Sequence, residues 1–109
     1  MMSYDRDTVP APAPGLRLLP WENGTGKPCF LSSDGPGSTL WRLADEIEAT
    51  QLRDGAHVLA GARAVLEDRK AGEYALRGAL RAVTYALGDV LRVADSRGAR
   101  LTAPEHGGG

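Results

Sequence analysis

The sequence predicts an α+β fold, mainly helical, in which an N-terminal β-hairpin packs on an antiparallel two-helix hairpin (ββαα). Three observations predict it. Two short apolar runs, "LRLLPW" and "PCFLSS", flank a cluster of turn formers, "ENGTGK". From Ser38 onward, apolar residues recur at the ~100° spacing of a helix over two long stretches. Only "DRKAG" separates those stretches, a connector so short that the helices must run antiparallel.

The hairpin is expected over Leu16–Ser33, with strands Leu16–Trp21 and Pro28–Ser33 and a bend at Glu22–Lys27. Pro20 and Pro28 fall at strand ends, where a missing N–H is tolerated. "DGPGS" then breaks the chain. Helix one is expected over Ser38–Asp68. Leu40, Leu43, Ala44, Ile47, Val58, Ala62 and Val65 share one arc, and Ser38 or Thr39 caps the first turn. Gly55 and Gly61 each weaken the helix by about 1 kcal/mol without ending it. Trp41, Leu52, Leu59 and Leu66 widen the arc on one flank, which the sheet is expected to cover. Helix two is expected over Glu73–Arg97, with Leu76, Ala79, Leu80, Val83, Leu87, Val90, Leu91 and Ala94 as its core stripe. Gly98 sits where a left-handed cap is expected. Neither end of the chain has an apolar block to bury. The layout is therefore a disordered Pro-rich arm (1–15), a single domain (16–101) and a disordered tail (102–109).

The chain has 109 residues, 13 basic and 14 acidic, for a net charge of −1. Duplex binding normally rests on a basic excess, so nucleic acid is not an expected partner. A single cysteine excludes an internal disulfide and fits a reducing compartment. No secretory leader and no apolar run of the ~20 residues a membrane span needs are present, so a cytoplasmic protein without membrane contact is expected.

Candidate chemistry is sparse. Gly-x-Gly-Lys at 24–27 suggests a phosphate loop, but such a loop needs an earlier glycine where Trp21 stands and a hydroxyl where Pro28 stands. It must also open into a helix, whereas "CFLSS" reads as a strand. The stretch is a turn. Cys29 lacks a neighbouring base in sequence and reads as a buried, inert thiol. Cys29, His57 and His106 have no metal-ligand spacing. The carboxylates of "ADEIE" (Asp45, Glu46, Glu48) point around helix one and read as a solvated face near its positive end. Gln51 lies within the apolar arc, either as a half-exposed amide at its edge or as a buried polar group fixing helix register. Trp21 and Trp41 are expected to pack the sheet onto the helices. No cofactor is expected.

The most informative pattern lies on helix two, opposite its core stripe. Tyr74, Gly78, Arg81, Tyr85, Gly88 and Arg92 follow one another at spacings of 4, 3, 4, 3 and 4, a continuous seam with Arg77 beside it. Tyr and Arg are enriched at binding surfaces, and Gly lets another backbone approach. An ordinary solvated face is the plainer reading of the same residues.

"LRLLPW…GKPCFLSSDG", "LADEIEA…QL" and "DVLRVADSRGARL" together resemble a family of small proteins from high-GC actinobacteria, over about residues 16–101. The resemblance carries no activity and no site residues. It implies an accessory role beside helix-turn-helix regulators. The leading expectation is thus a non-catalytic protein–protein interaction or regulatory accessory module, docking on a protein partner or on itself as a homodimer. The alternative is a small-molecule-binding or enzymatic domain with loop Glu22–Lys27 as a lid. A DNA-binding accessory is the third reading.

Overall fold

The computed structural model describes residues 4, 7, 16–32 and 38–102. Apart from Tyr4 and Asp7, the expected arm lies outside the described residues, as do the "DGPG" break and the tail from residue 103. The order of elements is β1 (Leu16–Glu22), β2 (Pro28–Ser32), α1 (Thr39–Glu67) and α2 (Glu73–Thr102). A two-stranded antiparallel sheet followed by a helical hairpin is the expected ββαα arrangement.

The strands pair Leu16 with Ser32, Arg17 with Leu31, Leu18 with Phe30 and Glu22 with Pro28. Leu19, Pro20 and Trp21 therefore stand opposite Cys29 alone, a bulge. Pro20 suits it, having no N–H to give to a ladder. The bulge frees the Pro20 carbonyl for the helices: it accepts from Gln51 Nε2 at 2.9 Å and from Arg92 Nη1 at 3.0 Å. Four consecutive residues, Arg17 to Pro20, are buried, where a regular half-exposed strand would alternate. In the bend, Asn23 Oδ1 accepts from the backbone N–H groups of Thr25 (2.9 Å) and Lys27 (3.0 Å), and Gly26 has φ +80°, a left-handed conformation glycine adopts without strain. Glu22–Lys27 is an ordered turn.

Ser38 caps α1, its Oγ accepting from the Trp41 N–H at 3.1 Å. The helix passes through Gly55 and Gly61 and ends at Asp68, whose carboxylate accepts from Lys70 N–H in the connector. The second helix does not stop at Gly98 but runs four residues further, to Thr102. Its last turns are tied to the sheet and to α1 through Ser96, Arg97 and Arg100, and tertiary contacts of this kind outweigh the weak propensity of one glycine.

Between the helices, α1 contributes Ala44, Glu48, Gln51, Gly55, Val58, Ala62 and Val65 at alternating spacings of four and three. Ala79, Val83, Ala86, Val90 and Val93 answer from α2 in the same rhythm. All are buried or half-buried. This is the antiparallel form of a coiled-coil seam, built from small side chains. A Cβ on Gly55 would lie 3.2 Å from Val90 Cγ2, so the Val90 side chain packs directly on the Gly55 backbone.

That close approach displaces the bulky residues. Leu40, Leu43, Leu76, Leu80 and Leu87, expected in the core, are 43–67 % exposed, and Ala94 is exposed too. The sheet reaches the widened flank of α1 only at Trp41, over whose ring Arg17 lies, and leaves the rest uncovered: Leu59 is 50 % and Leu66 77 % exposed. Instead the sheet seats on α2 near its C-terminal end, where Ser96 Oγ donates to the Leu18 carbonyl at 2.9 Å. Among the described residues, no helix is long and apolar enough to cross a membrane.

Candidate functional site

The molecule divides into a base, where sheet and helix ends meet, and a stem, the distal part of the helical hairpin. The base is held by polar groups. Arg17, on β1, is 1 % exposed and Glu48, on α1, is 1 % exposed. Arg17 Nη2 lies 2.7 Å from Asp45 Oδ1 and 3.1 Å from Glu48 Oε2, while Nη1 donates to the Trp41 carbonyl at 3.1 Å. Arg97 and Arg100 approach the other oxygen of Glu48 at 3.4 and 3.6 Å. The Trp41 ring lies against two of these guanidinium groups, Arg17 at 4.6 Å and Arg100 at 5.8 Å from its centroid. Burial, and then the nearby Arg17 charge, lower the pKa of Arg100.

Glu48 is thus not part of a solvated face. Its position explains why: it stands between Ala44 and Gln51 on the inner seam, so helical geometry buries it wherever those residues are buried. Arg17 sits among Leu16, Leu18 and Leu19 and supplies the opposite charge. A buried carboxylate persists only with such partners.

The seam on α2 is divided by the same base. Tyr74 is 94 % exposed, Gly78 and Arg81 are exposed, and Tyr85 is 39 % exposed. Gly88 and Arg92 are buried, so neither belongs to a free surface. Arg92 pairs with Glu22 at 3.2 Å and Asp89 at 3.6 Å, and its guanidinium lies 5.2 Å from the Tyr4 ring centroid. Tyr4 donates to Asp95 Oδ2 at 2.9 Å. The lower third of the seam is therefore scaffold, because the sheet needs a buried donor opposite Pro20 and Glu22. Gln51 is half-buried and fixes the sheet on α1 through Pro20, not the pairing of the two helices. Its Oε1 has no hydrogen-bond partner among the described residues.

What the stem leaves open is a leucine ladder. Leu52, Leu59 and Leu66 recur every seventh residue on α1; Leu80, Leu87, Ala94 and Leu101 do so on α2. A seven-residue repeat keeps a row on one side of a helix pair. The Gly55–Val90 approach sets the level of one helix against the other, placing Leu59 level with Leu87 and Leu66 level with Leu80. On α2 these leucines lie about half a turn from Arg92 and Ser96, which hold the sheet. On α2 the row thus faces away from the residues that hold the sheet, while on α1 it runs down to Asp45, which pairs with Arg17 of β1. Leu59, Leu66, Leu80 and Leu87 are 50, 77, 67 and 54 % exposed, and Leu101 is 86 % exposed. Such a patch exceeds what single exposed leucines would amount to. The signal was present in the sequence as a second seven-residue period beside the first.

The remaining candidates do not converge. Cys29 is half-buried, not fully buried; His57 and Lys27 are exposed; His106 lies outside the described residues. Among the described residues, no group of three His, Cys, Asp or Glu side chains is placed to hold a metal ion. No protein family, curated protein or solved structure matches the chain.

Proposed function

We propose that the protein is a non-catalytic interaction module that docks through the distal part of its helical stem. The observation that carries this reading is the exposed leucine ladder, Leu59 and Leu66 beside Leu80 and Leu87, along the distal stem. Apolar surface of that extent stabilises a complex when another molecule removes it from water, at about 25 cal/mol per Å². The base supplies what docking requires of a scaffold: a sheet clamped to both helices by buried charge pairs, which holds the root of the stem. The accessory role beside a regulator, implied by the resemblance, is compatible with a module that offers a helical face.

The test is affinity capture with three forms of the full chain: wild type, Leu80→Glu/Leu87→Glu, and Tyr74→Ala/Arg81→Ala on the seam side. The leucine variant should lose its bound protein while keeping the helix content of wild type, and the seam variant should retain it. Equal capture by all three would remove the ladder from consideration, and loss confined to the seam variant would return the function to Tyr74 and Arg81.

A further inference from the structure

Resting on that reading, we infer that the occupant of the leucine ladder is a second copy of this chain, packed antiparallel to complete a four-helix bundle. Three observations select it. The first is the incompleteness of the stem. Its seam is Gly, Ala and Val, and beyond Gly55 on α1 and before Gly88 on α2 no residue is fully buried. Two helices with so thin a seam bury little, and helix stability in water comes mainly from packing an amphipathic face. Two further helices would bury the ladder and convert the half-buried seam into a core.

The second is area. The ladder runs from the level of Leu101 to that of Leu66, a length of about 30 Å at 1.5 Å per residue, over a helix pair roughly 20 Å wide. The footprint is about 600 Å² per copy, or about 1,200 Å² in total, at the lower bound of stable specific interfaces.

The third is charge. The ladder row on α1 begins toward the base at Asp45, seven residues before Leu52, and beside the row stand Ala49, Ala56 and, toward the tip, Arg63. Arg63 is exposed and has no partner among the described residues. The side chain of Asp45 is 57 % exposed although it pairs with Arg17. A twofold axis crossing the stem near Gly55 sets α1 against α1 of the other copy in reverse direction. Arg63 then reaches the level of Asp45 of the other copy, and Leu80 that of Leu101. A parallel arrangement would instead set Arg63 level with Arg63 of the other copy and Asp45 level with Asp45, which like-charge repulsion opposes. With a net charge of −1, two copies meet without strong general repulsion.

Sedimentation of the full chain over a concentration series, with thermal melting of the same samples, tests this. The expected mass rises to twice the 11.5 kDa of one chain, and the melting midpoint rises with concentration. Leu80→Glu/Leu87→Glu should remain at one chain mass at every concentration, Arg63→Glu should weaken association roughly threefold to tenfold, and Tyr74→Glu should leave it unchanged. A wild-type mass of one chain throughout, with a midpoint independent of concentration, would overturn the inference, as would a dimer that survives the leucine substitutions. If the leucine variant loses its helices, the concentration dependence of the wild-type midpoint decides alone. A monomeric wild type that still captures a different protein through the ladder would sink this inference and leave the docking reading standing.

Discussion

The base and the stem of this protein are made from the same two helices, yet they hold together by opposite means. At the base the buried groups are Arg17, Glu48, Arg92 and Ser96 alongside Leu18, Leu19, Ala44 and Val93. Along the stem the interior is Ala, Val and Gly, while the leucines face outward. The lesson is that burial of charge fixes a unique arrangement where sheet and helices meet, and exposed apolar surface marks where the chain is unfinished. The base is closed by its own contacts, whereas the leucines of the stem stay exposed.

The contrast breaks most visibly if the base is disarmed. Glu48→Ala leaves Arg17 buried without its inner partner, and denaturant unfolding should show a loss of about 3–5 kcal/mol. Replacing both partners, Arg17→Met with Glu48→Leu, should cost far less than the single change, since the charges left without them, Asp45, Arg97 and Arg100, all reach solvent. Near-equal losses would mean that packing and not charge holds the base. Arg92→Ala comes next, at about 2–3 kcal/mol, because it removes one of the two donors to the Pro20 carbonyl and the cation paired with the Glu22 carboxylate.

Glycines sharpen the comparison on a smaller scale. Gly78, on the open seam side of the stem, has nothing within 4 Å of a built Cβ, so Gly78→Ala should raise stability by about 0.5–1 kcal/mol through helix propensity. Gly55→Ala should yield no such gain, because the new methyl meets Val90 Cγ2 at 3.2 Å and valine is stiff about χ1. Chemical denaturation of the two variants side by side measures the difference.

The smallest effect concerns pH. Burial raises the pKa of Asp89, with Arg92 opposing and Glu22 and Asp54 adding to the rise. Arg92 divides its hydrogen bonds between Glu22 and Pro20, so its attraction does not offset the burial. A carboxyl whose folded pKa lies above its unfolded value contributes stability that is fully present below the unfolded pKa. That contribution is lost as pH rises through the folded one. Asp89→Asn should remove this component, flattening the stability profile just above the ordinary carboxylate range. An unchanged profile would show that Asp89 is solvated.

Much of this architecture was legible in the sequence. The switch from short apolar runs to a 3.6-residue period located both helices, Ser38 marked the cap, and the Asn/Gly-rich bend marked the turn. The orientation of the apolar arcs was not legible in the same way. Leu80 and Leu87 are more hydrophobic than Ala79 and Ala86, and a periodicity argument ranks them inward; the seam of small residues that packs Val90 on Gly55 reverses the ranking. Arg17 and Glu48 were hidden for a related reason: charge reads as exposure unless its partner is known, and the partner lies 31 residues away in another element. The seam on α2 was continuous in sequence, but the sheet happens to end on it, turning Gly88 and Arg92 into scaffold.

Hydrogen–deuterium exchange at low and high protein concentration reads both regions at once. Amides of β1, of α1 around Glu48 and of α2 around Ser96 should exchange slowly at either concentration. Those from Val58 to Glu67 and from Tyr74 to Leu87 should exchange quickly when dilute and become protected as concentration rises. Stem amides as protected as the base in dilute solution, and indifferent to concentration, would contradict the division of the molecule into a finished base and an unfinished stem.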